Sequence, residues 1–161
     1  MNVSQYRSHA KINLWLQVLN RREDGYHNIQ SIFIELDLHD ELEFTPTEKF
    51  KLTLEGLAVP IDGSNLISKA YHLLRSQVKS VGTEYAIHLK KQIPIGGGLG
   101  GGSSNAGETL NALNQLWQLN LTAEELETLG TELGADVPFF IKGGVQLVEG
   151  IGDILTPVDP N

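Results

Sequence analysis

PIGGGLGGGSSNAG, residues 94–107, packs six of the chain's 17 glycines into the seven positions 96–102 and closes them with Ser103 and Ser104. So much bare backbone in one place fits three arrangements: a phosphate cradle, a dinucleotide-binding turn or a flexible linker. The flanks discriminate between them. Upstream, Tyr85, Ile87 and Leu89 alternate with other residues as a strand does. Downstream, Ala106, Leu110, Leu113 and Trp117 recur at three- and four-residue steps, the buried face of a helix that Ser103 or Ser104 is placed to cap. A linker would show polar spacers, and both flanks are apolar and periodic instead. Gly96, Gly98 and Gly101 satisfy G-x-G-x-x-G, but a run this rich in glycine satisfies many patterns, and the next element is another capped helix rather than a strand ending in a ribose-binding acid. The Walker spacing fails because its lysine position is Ser103. What remains is a backbone cradle for phosphate: glycines let N–H groups approach an anion, and the helix behind adds unpaired N–H groups and its positive end.

Bulk composition limits the classes. A chain of 161 residues, 40% hydrophobic, is long enough for one well-cored domain, and no linker, repeat or charge block divides 1–161. A net charge of -8 gives no basic field for nucleic acid or an anionic membrane. The absence of cysteine removes disulfides and thiol chemistry. The N-terminal MNVSQYRSHAKINLWLQVL has no apolar run long enough for a signal peptide or a membrane span, so a cytoplasmic location is expected.

Along the chain, Ala10, Ile12, Leu14, Leu16 and Val18 alternate with Lys11, Asn13, Trp15 and Gln17, predicting a half-buried strand with Lys11 and Asn13 on one face. Asp24-Gly25 marks a turn. Further strands are expected at 32–37, in ELEF and in FKLTLEG, forming an antiparallel sheet. Ser64 or Asn65 caps a helix carrying Ile67, Ala70, Leu74 and Val78. Thr122 and Glu125 form a capping box for a helix with Leu126, Leu129 and Leu133 that stops at Gly134. The tail from Asp136 reads as short strands and turns. His9, His39, His72 and His88 show no ligand-like spacing with carboxylates, and Trp15 and Trp117 read as core or groove-lining residues.

Four stretches in order, AKINLWL, RREDGYHNIQSIF, GGGLGGGSSNA and LGADVPFF, together resemble the GHMP kinase superfamily, and within it the branch acting on a cytidine diphosphate methylerythritol. The resemblance implies an α+β fold of the kind called ribosomal protein S5 domain 2-like, with a mixed or antiparallel sheet packed with helices. It also implies ATP with Mg2+ along Gly96, Gly97, Gly98, Leu99, Gly100, Gly101, Gly102, Ser103 and Ser104. In it Asn65 and Lys91 border the nucleotide, and Ser104 is a candidate magnesium ligand. By motif, Lys11 and Asp136 are the catalytic pair, while Asn13, Tyr26 and His27 hold the cytidine substrate. A carboxylate takes the hydroxyl proton as the oxygen attacks, and the lysine steadies the developing charge. Chains of that family continue past the end of this one through a second domain, so the chain is expected to match the N-terminal domain alone. An open cleft and self-association through uncovered apolar surface would follow, with a non-catalytic nucleotide-binding domain or a structural fragment as the alternative to catalysis. One departure is Gly107, where the family usually has alanine, at a cost of about 1 kcal/mol of helix propensity.

Overall fold

The computed structural model describes residues 3–79 and 81–159. Among these residues, six strands and four helices follow in the order β1 (Ser4–Arg21), β2 (His27–Thr47), β3 (Lys51–Gly56), α1 (Leu66–Ser76), β4 (Glu84–Lys91), α2 (Gly101–Leu116), α3 (Ala123–Leu133), α4 (Phe139–Lys142), β5 (Val145–Glu149) and β6 (Ile154–Pro157). The architecture is α+β.

β2 organises the sheet. Its residues 41–47 pair with β4 and its residues 31–34 pair with β5, while β1 runs along its other edge. The strand order is β3-β4-β2-β5-β6 with β1 added to β2. All pairs are antiparallel except β3 with β4, which is parallel, so the sheet is mixed rather than purely antiparallel. The cause is α1, which carries the chain back across the sheet between β3 and β4, the crossover that a parallel pair requires. The segments expected as separate strands at 32–37 and in ELEF form one strand interrupted by an irregularity, where His9 faces His39 but Lys11 faces Glu35.

Leu42 and Phe44 of β2, Ile87 and Leu89 of β4, Ile67 and Leu74 of α1, and Leu110 and Leu113 of α2 are fully or almost fully buried in one cluster. This is the face that the helical periodicities anticipate. Asn65 caps α1 by accepting from the Ile67 N–H at 2.9 Å, and Val78 lies beyond the helix end. The capping box of α3 is present in both directions, Glu125 N–H to Thr122 Oγ1 and Thr122 N–H to Glu125 Oε2. The tail contains the single-turn α4 in addition to short strands. No helix of the described residues is long and apolar enough to cross a membrane.

The outer half of β1 departs from its alternation. Lys11 is only 5% exposed, whereas Leu14, Leu16 and Val18 are 63, 50 and 58% exposed. Alternation establishes two faces but not which one is covered. Here the glycine loop covers Lys11 alone, and from Ile12 to Arg21 the residues on both faces of β1 are exposed.

Gly107 has a packing reason. A Cβ there would lie 2.9 Å from Cβ of Phe140 and 3.3 Å from the Val137 carbonyl, so glycine lets α2 approach the turn before α4.

One residue of α2 gives a pH signature. Burial, then the neighbouring Glu35 carboxylate, push Glu108 up to about 7, against a lowering hydrogen bond from Asn111. A carboxyl raised on folding favours the folded state while protonated, so this contribution is full below pH 4.5 and is lost as pH rises through 7. Glu108→Gln is therefore expected to raise stability by about 2 kcal/mol at pH 8 and to change it little at pH 4.5. Thermal melts at the two pH values read this directly, and equal effects at both would refute it.

Candidate active site

The glycine loop lies between the end of β4 and the start of α2, as its flanks predict. Gly96, Gly98 and Gly100 take positive φ of 76°, 72° and 69°, alternating left-handed residues that turn successive N–H groups into a concavity. The cap of α2 is Gly100 itself rather than Ser103 or Ser104: the Ser104 N–H donates to the Gly100 carbonyl at 2.8 Å, which places both serines inside the first turn. The reason is geometric. A Cβ at Gly100 would stand 2.7 Å from the Phe140 ring and 3.1 Å from Cγ of Lys11, so no serine fits the capping position.

A cleft of about 370 Å³ opens over the loop, lined by Asn65, Lys91, the run from Gly96 to Ser103, and the apolar Val59, Leu66 and Ile95. The sixteen-residue α2 aims its N-terminus at this cleft, where the first helical N–H groups have no carbonyl partner within the helix. Ser103 lines the cleft; Ser104, 1% exposed, lies behind it. Asn65 both caps α1 and donates from Nδ2 to the Pro60 carbonyl at 2.6 Å, fixing the wall opposite the loop.

Beside Gly100 stands Lys11. Its backbone N–H donates to the Leu99 carbonyl at 2.9 Å, tying the loop to β1. Its ammonium donates to Asn13 Oδ1 at 2.6 Å, lies 3.4 Å from Asp136 Oδ2, and sits 4.3 Å above the centre of the Phe33 ring. A buried ammonium with a carboxylate, an amide oxygen and an aromatic face is held in one place. The Asp136 side chain, in the turn between α3 and α4, is 37% exposed and free to meet a ligand from solvent.

The structure thus brings together Lys11, Asn13, Asp136 and the end of the loop. Tyr26 and His27 lie apart at the hairpin turn, both exposed, with His27 opposite Arg21 at the far end of the β1–β2 ladder. Six residues of extended chain separate His27 from Phe33, a distance of about 20 Å. The ammonium of Lys91 is committed to a buried partner, Asp40 Oδ2, at 2.5 Å.

Asp40, fully buried, escapes sequence reasoning. It accepts from Lys91 Nζ, from the N–H groups of Gln92 and Ile93 at 2.6 and 2.8 Å, and from Asn105 Nδ2 at 2.8 Å. Asn105 also donates to Ser8 Oγ at 2.5 Å. One carboxylate therefore clamps the residues entering the glycine loop to the helix leaving it. Its only trace in the sequence is an acid on the strand, which reads as a solvated position.

Comparison with known proteins gives the family and the fold. Residues 65–144, from the α1 cap through the glycine loop and α4, match the GHMP kinases N terminal domain. The chain belongs to the GHMP kinase family. More particularly, it is 46% identical over 160 residues to the 4-diphosphocytidyl-2-C-methyl-D-erythritol kinase of Hahella chejuensis, covering 94% of this chain and 54% of that one. The enzyme of the same name from Pseudomonas savastanoi pv. phaseolicola is 51% identical over 154 residues, with 94% and 52% covered. A crystal structure of 4-(cytidine 5'-diphospho)-2C-methyl-D-erythritol kinase superposes with a TM-score of 0.83 at 37% identity, covering 96% of this chain and 55% of that one. The chain spans about half the length of the relatives it matches.

Proposed function

We propose that this chain forms the ATP-binding and phosphoryl-transfer half of a kinase that phosphorylates a hydroxyl of the methylerythritol moiety of 4-diphosphocytidyl-2-C-methyl-D-erythritol. The observation that carries this reading is the position of the Lys11–Asp136 pair beside Gly100, with the glycine cleft opening next to it.

Phosphoryl transfer asks the protein for positioning and charge stabilisation rather than covalent chemistry. The loop N–H groups and the α2 N-terminus hold the triphosphate, and the apolar wall of Val59, Leu66 and Ile95 takes the base. Asp136 accepts the proton of the attacking hydroxyl, and Lys11, already fixed by Asn13 and Phe33, balances the negative charge between acceptor and phosphoryl group. Asn13 orients both the ammonium and the substrate. Tyr26 offers an exposed ring for stacking the cytosine and His27 a polar edge beside it, so the substrate extends along the hairpin from its turn to Asp136. Mg2+ suits the hydroxyl and carboxylate oxygens here. Ser103, which faces the cleft, supplies that donor more directly than Ser104, and the ion neutralises phosphate charge when bound.

Thermal melts with Mg-ATP, with the cytidine diphosphate methylerythritol and with NAD as control test this reading. A ligand at one hundred times its dissociation constant stabilises the fold by about 2.7 kcal/mol, so both proposed ligands are expected to raise Tm visibly while NAD does not. No shift with either ligand, or an equal shift with NAD, would count against it.

A further inference from the structure

The irregularity that turns Lys11 inward also pairs two histidines whose 30-residue separation hides their contact. His9 on β1 and His39 on β2 are cross-strand partners, with ring centres 5.3 Å apart. His9 Nδ1 bonds the Leu36 carbonyl at 2.8 Å and His39 Nδ1 bonds the Asp37 carbonyl at 2.6 Å. A carbonyl only accepts, so each Nδ1 carries the hydrogen, and Nε2 is the ring nitrogen left to serve as a donor atom to a metal. No hydrogen bond engages either Nε2 among the described residues. A backbone carbonyl that fixes one ring nitrogen and leaves the other as a donor atom is the outer-shell arrangement of metal-binding histidine.

The spacing fits as well. Two imidazoles bound through nitrogen at about 2.0–2.1 Å to one tetrahedral ion hold their ring centres about 5 Å apart. The geometry points to a two-imidazole site for a late first-row divalent cation, Zn2+, Ni2+ or Cu2+, formed by His9 and His39 across the β1–β2 irregularity. Imidazole nitrogen suits these ions, and Mg2+, which demands oxygen, is excluded from it. Water completes the coordination, since no third histidine, cysteine or carboxylate joins the pair into a larger ligand group among the described residues. The site is separate from the nucleotide cleft and independent of the kinase reading. It lies two residues from Lys11, so a bound ion staples the two strands where the chain changes which side faces inward.

Calorimetric titration of the untagged chain with ZnSO4 and, separately, MgCl2 tests the site, together with His39→Ala and His9→Ala. The His39 ring is half-buried and belongs to neither core cluster, so its removal leaves the core intact. Zn2+ is expected to bind the parent at about one ion per chain and about tenfold or more tighter than either variant, with no saturable Mg2+ binding at these rings. In nitrogen NMR of the imidazoles, Zn2+ is expected to shift Nε2 of both rings and neither Nδ1. Equal Zn2+ affinity in the parent and His39→Ala, or a ring shift confined to one histidine, would overturn the proposal. If His9→Ala fails to fold, the His39→Ala titration and the ring shifts decide alone.

Discussion

Replacing Asp136 with asparagine is expected to lower the rate of phosphoryl transfer by about 10²–10⁴-fold, the usual contribution of a positioned general base. Asparagine keeps the size and the contact with Lys11 but cannot take a proton from the attacking hydroxyl. The Asp136 side chain is 37% exposed and sits in a turn, and Lys11 keeps Asn13 and Phe33 as partners, so the packing of the core does not depend on the carboxylate. Affinity for Mg-ATP, for which the proposed site is the loop, is expected to stay within about threefold, so the loss falls on kcat. Rates of ADP release, set beside calorimetric ATP binding for parent and variant, separate the two effects. Undiminished turnover would remove Asp136 from the mechanism. Lys11→Ala is the less clean companion, because Lys11 is buried among Asn13, Phe33 and the loop, and its loss lowers stability together with rate.

Asp40→Ala is expected to cost about 3–5 kcal/mol of folding stability, because it leaves the Lys91 ammonium buried without its carboxylate. The N–H groups of Gln92 and Ile93 and the Asn105 amide lose an acceptor in the same step. For a chain of this size the loss corresponds to a fall in Tm of about 10 °C or more. A double change of Asp40 and Lys91 to apolar residues of similar volume is expected to recover part of it, since replacing both partners of a buried pair removes the unpaired charge. A fall of under about 2 °C for Asp40→Ala would show that the clamp carries little energy.

The sequence discloses what depends on neighbours in the chain. The α1 and α3 caps, the helical faces of Leu110 and Leu113, and the strand–glycine–helix context of the loop are local relations, and each was legible. Asp40 was not, because its partners Lys91 and Asn105 lie 51 and 65 residues away and nothing in its own strand records them. His9 and His39 were missed for the same reason. The inward turn of Lys11 needed the register shift of the β1–β2 ladder, which a period-two pattern does not encode. Within the site, motif resemblance named Lys11 and Asp136, but only the fold sets them 3.4 Å apart with Lys11 against Gly100. The capping of α2 was misread because serine is the commoner cap, and the crowding by Phe140 and Lys11 that selects glycine is tertiary.

The loop's two anchors, the Lys11 backbone and the Asp40 carboxylate, both precede it in the chain. During synthesis at about 5–20 residues per second, Asp40 leaves the ribosome roughly 3–10 s before Lys91 and Ile93 follow. Throughout that interval Asp40 keeps its water, since dehydrating it without a cation is unfavourable. The hairpin that bears it therefore cannot settle into its final burial until the segment up to Asn105 has emerged. The nascent chain closes its core and completes its glycine loop in one event.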